Sequence, residues 1–417
     1  MPASLPALAS DVQQALDQHG PADIAVGILT YNNADTVADV ATAAALGAER
    51  HFAGTRTVVV NVDADSADGT RDRLAATGLP LVAARHDAPA PERVAVPFHG
   101  IPGRGAGLRL TLTIAHRLGA RVLVLLEADG ISTNADWMAR LAGPVLHDKI
   151  DLVAPLYARH RYDGTITKLL LSPLVRALYG RRLHQPFGGQ QGLSARLIEH
   201  LLLHPKWDWG GRDVTDLWMV GTAIADGFAV SESWLGAHAI RSRTRTADLP
   251  TMVSQTLGAV FTVMDRHEDL WLEVNASETL PALGDAVLPS CEPMAVDVGG
   301  MIHAFRRGLR DLTEIWELVL APETLGDVLS LDVPDETQFR FPDPLWARIV
   351  YDFALGHHYS VVHRDHLLRS LVPLYLGRTA AFVIGTRDAG PETSADRVEA
   401  VSTCFEREKP YLIERWR

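Results

Sequence analysis

The sequence predicts an α/β domain built on a Rossmann-like, mostly parallel sheet, followed by a mainly α-helical domain. Three observations lead there. From Asp23 to about Ala239, short β-branched runs alternate with helix-period segments, the pattern of βαβ units. After Pro250 the apolar residues recur at helical spacing and β-branched runs become scarce. At 417 residues the chain exceeds the size at which a single core stops growing, so two domains are the default. The polar basic segment Arg241-Ser242-Arg243-Thr244-Arg245 has no apolar period and marks the boundary. The expected domains are residues 1–245, N-terminal helix included, and 246–417.

In order, Ile24–Thr30 reads as a strand and Thr36–Leu46 as the helix after it. Thr57–Asp63 is a second strand, ending in the acidic segment Asp63–Thr70, and Leu81–Arg85 is a weaker third. Ala106–Leu118 has helical period; Arg121–Leu126 and Leu152–Tyr157 are further strands. In the second domain, helices are expected over Met252–His267, Val298–Leu320, Pro344–His358 and Asp365–Phe382. The Pro- and Gly-containing stretch Leu280–Val298 reads as loop.

Composition narrows the function. The chain is 47% hydrophobic and 22% charged, ordinary for a soluble globular protein. A formal net charge of −12 argues against a general nucleic-acid or anionic-membrane binder. An anionic substrate would then need a local cluster of Arg and Lys, or a metal. The two cysteines, Cys291 and Cys404, have no metal-ligand spacing and form no disulfide framework, which points to the reducing cytoplasm. Met1–Gly20 lacks the basic start and apolar run of a secretory signal. Leu371–Gly385 is interrupted by Arg378 and is too short to span a bilayer. Neither nucleic acid nor membrane is expected as a partner.

The chemistry begins at Arg121–Asp129, a buried strand that delivers Glu127 and Asp129 at its C-terminal end. Such ends are where open α/β sheets bind ligands. Two carboxylates one residue apart can hold a hard cation, which can carry a nucleotide diphosphate; they can equally be helix-capping acids. Pro102-Gly103-Arg104-Gly105-Ala106-Gly107 leads into a helix, where glycines, the helix N-terminus and Arg104 suit an anion, although a plain Gly-rich turn has the same look.

Several ordered segments resemble retaining GT-A glycosyltransferases of the mannosylglycerate and glucosylglycerate synthase type. These are Gly27–Val37 with Asp63–Thr70, the pair Glu127-Ala128-Asp129, and the Pro-Gly-Arg-Gly segment, where Arg104 stands for the family's Lys. Further on come Arg159–Thr167, Gln185-Pro186-Phe187-Gly188-Gly189-Gln190, Trp207–Trp218 and Gly236-Ala237-His238. The match covers roughly Asp23 to Arg245, with a looser one around Pro373–Arg378.

The resemblance implies that Thr30, Tyr31, Asn32, Asp35 and Asp63 meet the donor nucleotide, with Glu127, Ala128, Arg104, Arg241 and Arg243 around its diphosphate. It implies that Asp129 and His238 hold a divalent metal, Mg²⁺ or Mn²⁺. Arg159 and Thr167, eight residues apart, would hold the acceptor's carboxylate, a task a guanidinium and a hydroxyl suit. Arg161 or Thr165 would replace them in a shifted register, and Phe187, Gly188 and Gly189 would lie beside the acceptor. Gln190 stands where the family has an acid and keeps only neutral hydrogen bonding. Asp216, or else Asp213, would be the acid near the reacting centre, unless both are helix caps.

The implied reaction transfers glucose or mannose from a GDP- or UDP-linked donor to the 2-hydroxyl of D-glycerate, making a compatible solute, in a cytoplasmic homodimer. A phosphoglycerate acceptor would need further cations, with Arg161, Arg176, Arg181 and Arg182 as candidates. The last three crowd near Tyr179-Gly180, where a helix end would itself explain them. Two other classes remain open: a nucleotidyltransferase and a non-catalytic sugar-binding regulator.

Overall fold

A computed structural model describes residues 5, 7–88, 91–92, 97, 99–204, 215–239, 249–332 and 338–416. The chain divides into two compact units. The first comprises Met1–Ala158, Gln185–Ala247 and Leu280–Val287; the second comprises Arg159–His184, Asp248–Thr279 and Leu288–Arg417. The division therefore differs from a single cut at 245: residues 159–184 leave the first stretch and belong with the later helices.

The first unit is the expected α/β domain. Its strands are β1 (Ile24–Thr30), β2 (Thr57–Asp63), β3 (Leu81–Arg85), β4 (Val122–Glu127), β5 (Leu152–Ala158), β6 (Gln191–Ser194), β7 (Val230–Ala237) and β8 (Ala282–Leu283). They form one sheet in the order β8-β7-β5-β6-β4-β1-β2-β3. All neighbours are parallel except β6, which runs antiparallel to both β4 and β5. Every residue of β1 is buried, as befits a central parallel strand covered on both faces. The register sets Thr30 beside Asp63 and Leu29 beside Glu127, so β1, β2 and β4 end at one level. That level is the carboxyl edge, where polar side chains gather.

Helices α1 (Ser10–His19), α2 (Val37–His51), α3 (Thr70–Ala75), α4 (Arg104–Arg117), α5 (Asp136–His147), α6 (Ala195–Leu203) and α7 (Thr215–Ala225) complete this unit. One core joins Ile24, Val26, Val37, Val124, Trp137 and Leu141, from β1, α2, β4 and α5. A bulge interrupts the β5–β7 ladder: Leu156 faces Trp234, but Tyr157 faces Gly236, so Leu235 is the extra residue. The carbonyls it displaces are answered from α5. Trp137 Nε1 donates to the Leu235 oxygen at 2.7 Å, and Arg140 Nη1 to that of Trp234 at 2.7 Å.

The second unit is helical, as expected, with two helices broken that the periodicity ran through. Its main helices are α8 (Leu249–Arg266), α9 (Val298–Asp311), α10 (Thr313–Val319), α11 (Pro322–Leu329), α12 (Asp343–His358), α13 (Arg364–Ser370), α14 (Val372–Thr386) and α15 (Pro391–Trp416). The break between α13 and α14 falls just before Pro373, whose ring cannot continue the preceding hydrogen-bond ladder. Helices α9 and α14 approach closely because glycines face the contact. A Cβ on Gly377 would lie 2.9 Å from the Phe305 ring, and one on Gly308 2.5 Å from Pro373. The stretch Arg364–Thr386 is long and apolar enough to cross a membrane, and 72% of its apolar window is buried within the protein.

Residues 159–184 belong here for a physical reason. The run Thr167–Tyr179, a π-helical turn continuing as α-helix, buries Leu169, Leu170, Leu171 and Leu174. Trp346 of α12 donates its indole N–H to the Leu169 oxygen at 2.6 Å. Arg176 is paired with Glu399 and Glu406 of α15, each at 2.8 Å. Arg161, 8% exposed, closes the C-terminal end of α14 by donating to the oxygens of Thr386, Arg387 and Ala389 at 2.7–3.0 Å. Carbonyls at a helix C-terminus run short of intrahelical donors; the Thr386 oxygen also accepts the Ala389 N–H at 3.1 Å.

That arrangement predicts a cost. Arg161→Ala removes three charge-assisted bonds from a buried helix end and should lower unfolding stability by about 3 kcal/mol. A urea titration reads this as a lower midpoint; an unchanged midpoint would mean that water replaces the guanidinium without loss.

Candidate active site

At the carboxyl edge of β1 and β2, two loops are tied by side chains. Thr30 Oγ1 donates to Asp63 Oδ2 at 2.7 Å, and Ser66 reaches the same carboxylate through its N–H at 2.8 Å and its hydroxyl at 2.6 Å. Asn32, in the left-handed region at φ 56°, donates its N–H to Ser66 Oγ and accepts from the Ala67 N–H. Asn33 and Ala34 donate their N–H groups to Thr70 Oγ1 and Asp68 Oδ2. Asp63 is consequently buried and serves the junction of the two loops. The exposed acids on these loops are Asp35, Asp65 and Asp68; Asp65 is at φ 70°, and Asp68 accepts from the Ala34 and Thr70 N–H groups. Tyr31 is half-buried beside them. In the sequence, Asp63 ends the strand and takes the assignment, so nothing local singles out Asp65.

The next turn is locked to this one. Thr36 Oγ1 donates 2.7 Å to the Ala128 oxygen, fixing the Glu127-Ala128-Asp129 turn against the start of α2. After Asp129, Ile131 N–H donates to the Ala239 oxygen at 3.0 Å, and Ala239 N–H to Ser132 Oγ at 3.0 Å. These bonds bring the end of β7, and with it His238, to the end of β4.

There the side chains converge on Glu127. His238 Nε2 lies 3.1 Å from Glu127 Oε2, and Gln190 Nε2 donates to the same oxygen at 2.7 Å. Tyr157 donates its hydroxyl to Gln190 Oε1 and stacks its ring on His238, centroids 4.2 Å apart. Gln190 is fully buried and His238 has a 10% exposed side chain. Burial opposes ionisation of Glu127, but His238, the Gln190 amide and Arg104 outweigh it and hold the carboxyl below its usual range. Glu127 is therefore an anion at neutral pH.

The two glycines before Gln190 have a steric role. A Cβ on Gly189 would sit 2.2 Å from Glu127 Oε1, and one on Gly188 2.3 Å from Pro155. Their lack of a side chain is what lets the loop lie against β4 and β5. Phe187 beside them is half-buried.

Arg104 opens α4 after Gly103, which takes the left-handed conformation at φ 63°. Gly107, one turn on, packs on His86, whose Cε1 a Cβ would approach to 2.9 Å. The Arg104 guanidinium grips Asp216 in a two-pronged pair, Nε to Oδ2 and Nη2 to Oδ1, each 2.9 Å, with both side chains 12% exposed. Burial works against its charge, yet Asp216, then Glu127 and Asp129, raise its pKa further. Three carboxylates, Glu127, Asp129 and Asp216, stand around the one Arg104 guanidinium, a surplus of acid in a largely buried place. A divalent cation fits that surplus, and imidazole plus carboxylate is a donor set such ions accept. Asp129 is not drawn into one tight group with Glu127 and His238; among the described residues the three ligands gathered within 4.8 Å are His200, His204 and Asp226.

Asp213, Arg241 and Arg243 lie outside the described residues. Arg159, Thr165 and Thr167 belong to the second unit. The Arg159 guanidinium lies over Gly164, whose Cβ would come within 2.9 Å of Nη1. Thr165 shares a 2.6 Å hydrogen bond with the Tyr375 hydroxyl. Thr167 opens the π turn, its oxygen accepting from Ser172 five residues on; such turns recur at functional sites. Lys168 was not singled out in the sequence. It donates to the oxygens of His160 and Arg161 at 2.8 and 3.1 Å, and burial, then the Arg159 charge, lower its pKa to about 8.

The Arg104–Asp216 pair makes a testable case. Removing either partner leaves a nearly buried charge unanswered, so Arg104→Met and Asp216→Ala should each cost about 3–5 kcal/mol of stability. The double variant should cost clearly less than the sum. Equilibrium denaturation of the four proteins gives the coupling, and additive losses would show the pair to be independent.

No protein-family model and no curated protein matches the chain. Among solved structures it is similar to glucosyl-3-phosphoglycerate synthase from Mycobacterium tuberculosis in complex with Mn²⁺, UDP and phosphoglyceric acid. That likeness has 22% identity over 63% of this chain and 83% of the other, with a TM-score of 0.44. The same enzyme with Mn²⁺, UDP-glucose and phosphoglyceric acid gives 20% identity, 68% and 87% coverage, and a TM-score of 0.45. A mycobacterial protein gives 21% identity, 63% and 79% coverage, and 0.42. At such identities and TM-scores these likenesses carry no residue assignment.

Proposed function

We propose that this chain is a metal-dependent, retaining GT-A glycosyltransferase that moves glucose or mannose from a nucleoside diphosphate sugar to the 2-hydroxyl of D-glycerate. In this reading it works as a cytoplasmic homodimer and makes a compatible solute. The observation that supports it most is the meeting of Glu127, His238 and Gln190 at the carboxyl edge of the sheet, beside the Arg104–Asp216 pair. Ligands of open α/β sheets bind at that edge.

Asp129 and His238 are the proposed metal ligands, with Glu127 orienting the imidazole through their hydrogen bond. The metal, Mg²⁺ or Mn²⁺, would neutralise charge on the departing diphosphate. Arg104 adds fixed positive potential at the same place, and Asp216 keeps its guanidinium from turning away. Asn32, Asp35 and Asp65 line the loops proposed for the nucleoside. Gln190, clamped by Tyr157, orients Glu127 as a neutral donor. No carboxylate is assigned as a nucleophile; positioning of donor and acceptor carries the reaction.

Arg159 and Thr167 are proposed to hold the acceptor carboxylate, on the strength of the sequence resemblance. The preference for an unphosphorylated acceptor draws support from where the other cations are spent. Arg176 pairs with Glu399 and Glu406, Arg181 with Glu278, and Arg161 is taken by helix carbonyls. A second reading, transfer to 3-phosphoglycerate, has one observation in its favour: Lys168 stands close enough to Arg159 for their charges to interact.

Two measurements test these assignments. His238→Ala or Asp129→Ala should lower transfer at least ~100-fold while leaving the circular dichroism spectrum unchanged. Chelator should silence the parent until Mn²⁺ or Mg²⁺ is restored, and full transfer in chelator would refute the metal assignment. Separately, Arg159→Ala should weaken D-glycerate by about 2–5 kcal/mol and spare the donor KM. Comparing kcat/KM for D-glycerate and 3-phosphoglycerate then decides between the two acceptors.

A further inference from the structure

A second group of metal-competent side chains stands outside everything assigned above. His200 lies on α6 and His204 is that helix's C-terminal cap, four residues on. That spacing puts two imidazoles on one helix face. Asp226 follows directly after α7, and its Oδ2 lies 2.6 Å from His200 Nε2. One ligand atom from each of the three falls within 4.8 Å of the other two. All three belong to the first unit.

The surroundings hold these rings in place and keep them reachable. The His200 ring packs on Phe228 with centroids 4.9 Å apart, and the His204 ring meets Trp218 edge-on at 5.4 Å. The two imidazoles are 5.8 Å apart. The side chains of His200 and Asp226 are 36% and 37% exposed, so an ion can enter from solvent. A simple surface His–Asp pair would account for two of these residues. The second imidazole, at helical spacing on the same face, brings a third ligand atom within 4.8 Å of that pair.

We propose that His200, His204 and Asp226 form a second metal site, for a borderline transition ion of the Zn²⁺ class, distinct from the one at His238. Two imidazoles and one carboxylate favour such an ion over Mg²⁺ or Ca²⁺, which prefer all-oxygen shells. Tetrahedral zinc with bonds near 2.0–2.1 Å sets its ligand atoms roughly 3.3 Å apart. The His200–Asp226 contact must then open by less than about 1 Å while His204 moves in, which side-chain rotation can supply. Water completes the fourth position. The bound ion clips the end of α6 to the turn after α7, the helix whose first turn carries Asp216. It therefore acts as a structural brace on the support of Arg104.

The test counts metal and does not use transfer activity, so it stands apart from the functional reading above. The full-length protein is stripped with chelator, dialysed, and titrated with Zn²⁺ alone. Bound zinc is measured by elemental analysis, and melting temperature is recorded with and without the ion. The parent should bind one equivalent more than His204→Ala or Asp226→Ala. Its melting temperature should rise by ~5 °C or more at a hundredfold excess over Kd, a rise both variants lose. His238→Ala should keep both the extra equivalent and the shift. His204→Gln serves if the alanine variant does not fold, since it preserves bulk on the helix end. Equal zinc content and equal melting shifts in the parent and the His204 variant would overturn the proposal.

Discussion

A carboxylate at the end of a buried strand has lost much of its water, and something must replace it before the chain can fold around it. Glu127 is that group, and much of the first unit can be read as the replacement. One of its oxygens is met by both the Gln190 amide and the His238 imidazole, residues brought there by two different strands. Delivering Gln190 requires β6 to insert antiparallel between β4 and β5. Delivering His238 requires β7 to carry an extra residue at Leu235 and its end to pair with the turn after β4. The bulge in turn needs Trp137 and Arg140 to accept the task of satisfying its carbonyls. One desolvated charge thus accounts for a strand, a bulge and two buried side-chain bonds.

The cations follow the same logic in reverse. In a chain of net charge −12, the buried arginines are answered by oxygens: Arg104 by Asp216, Arg176 by two glutamates, Arg378 by Asp343, and Arg161 by three carbonyls. An arginine near a presumed anionic ligand is therefore weak evidence for that ligand until its partners are known. This is the reason the cluster of arginines at 176–182 lends little weight to a phosphorylated acceptor. A guanidinium already bound on two or three sides has few donors left to offer.

Much of the sheet was legible because its strands are short unbroken runs such as Thr57-Val58-Val59-Val60 and Val122–Leu126, whose length and bounding polar turns favour strand over helix. The helices of the second unit were legible as periods but not as ends. Val298–Leu320 and Asp365–Phe382 each break once, at Leu312 and Leu371, where the apolar period continues across the break. Strand β6 was not seen, since four residues containing Gly192 show no alternation, and that glycine is there because a Cβ would strike the Leu141 oxygen of α5. At the site, the resemblance put Glu127 at the donor, His238 at the metal and Gln190 in a loop beside the acceptor, and did not foretell that both of the latter bond one Glu127 oxygen. It could not reveal Tyr157, which bonds Gln190 and stacks on His238, or that Asp216 and Arg104, 112 residues apart, occupy one another. Partnerships between distant side chains leave no local period to read.

The close approach of Gly189 to Glu127 has an implication for how this loop can vary. With 2.2 Å between a hypothetical Cβ and the carboxylate oxygen, any side chain at 189 demands that the acid retract. Shortening the acid by one methylene, as in Glu127→Asp, would not open the space, because Cγ, an atom aspartate keeps, also lies 2.6 Å from that Cβ. A side chain at 189 must therefore push the loop itself away from the end of β4. Gln190 follows directly in the chain, so such a shift would draw its amide off the Glu127 carboxylate. The glycine thus sets the reach of the residue after it, and bulk at 189 would be felt first as a loosened neighbour.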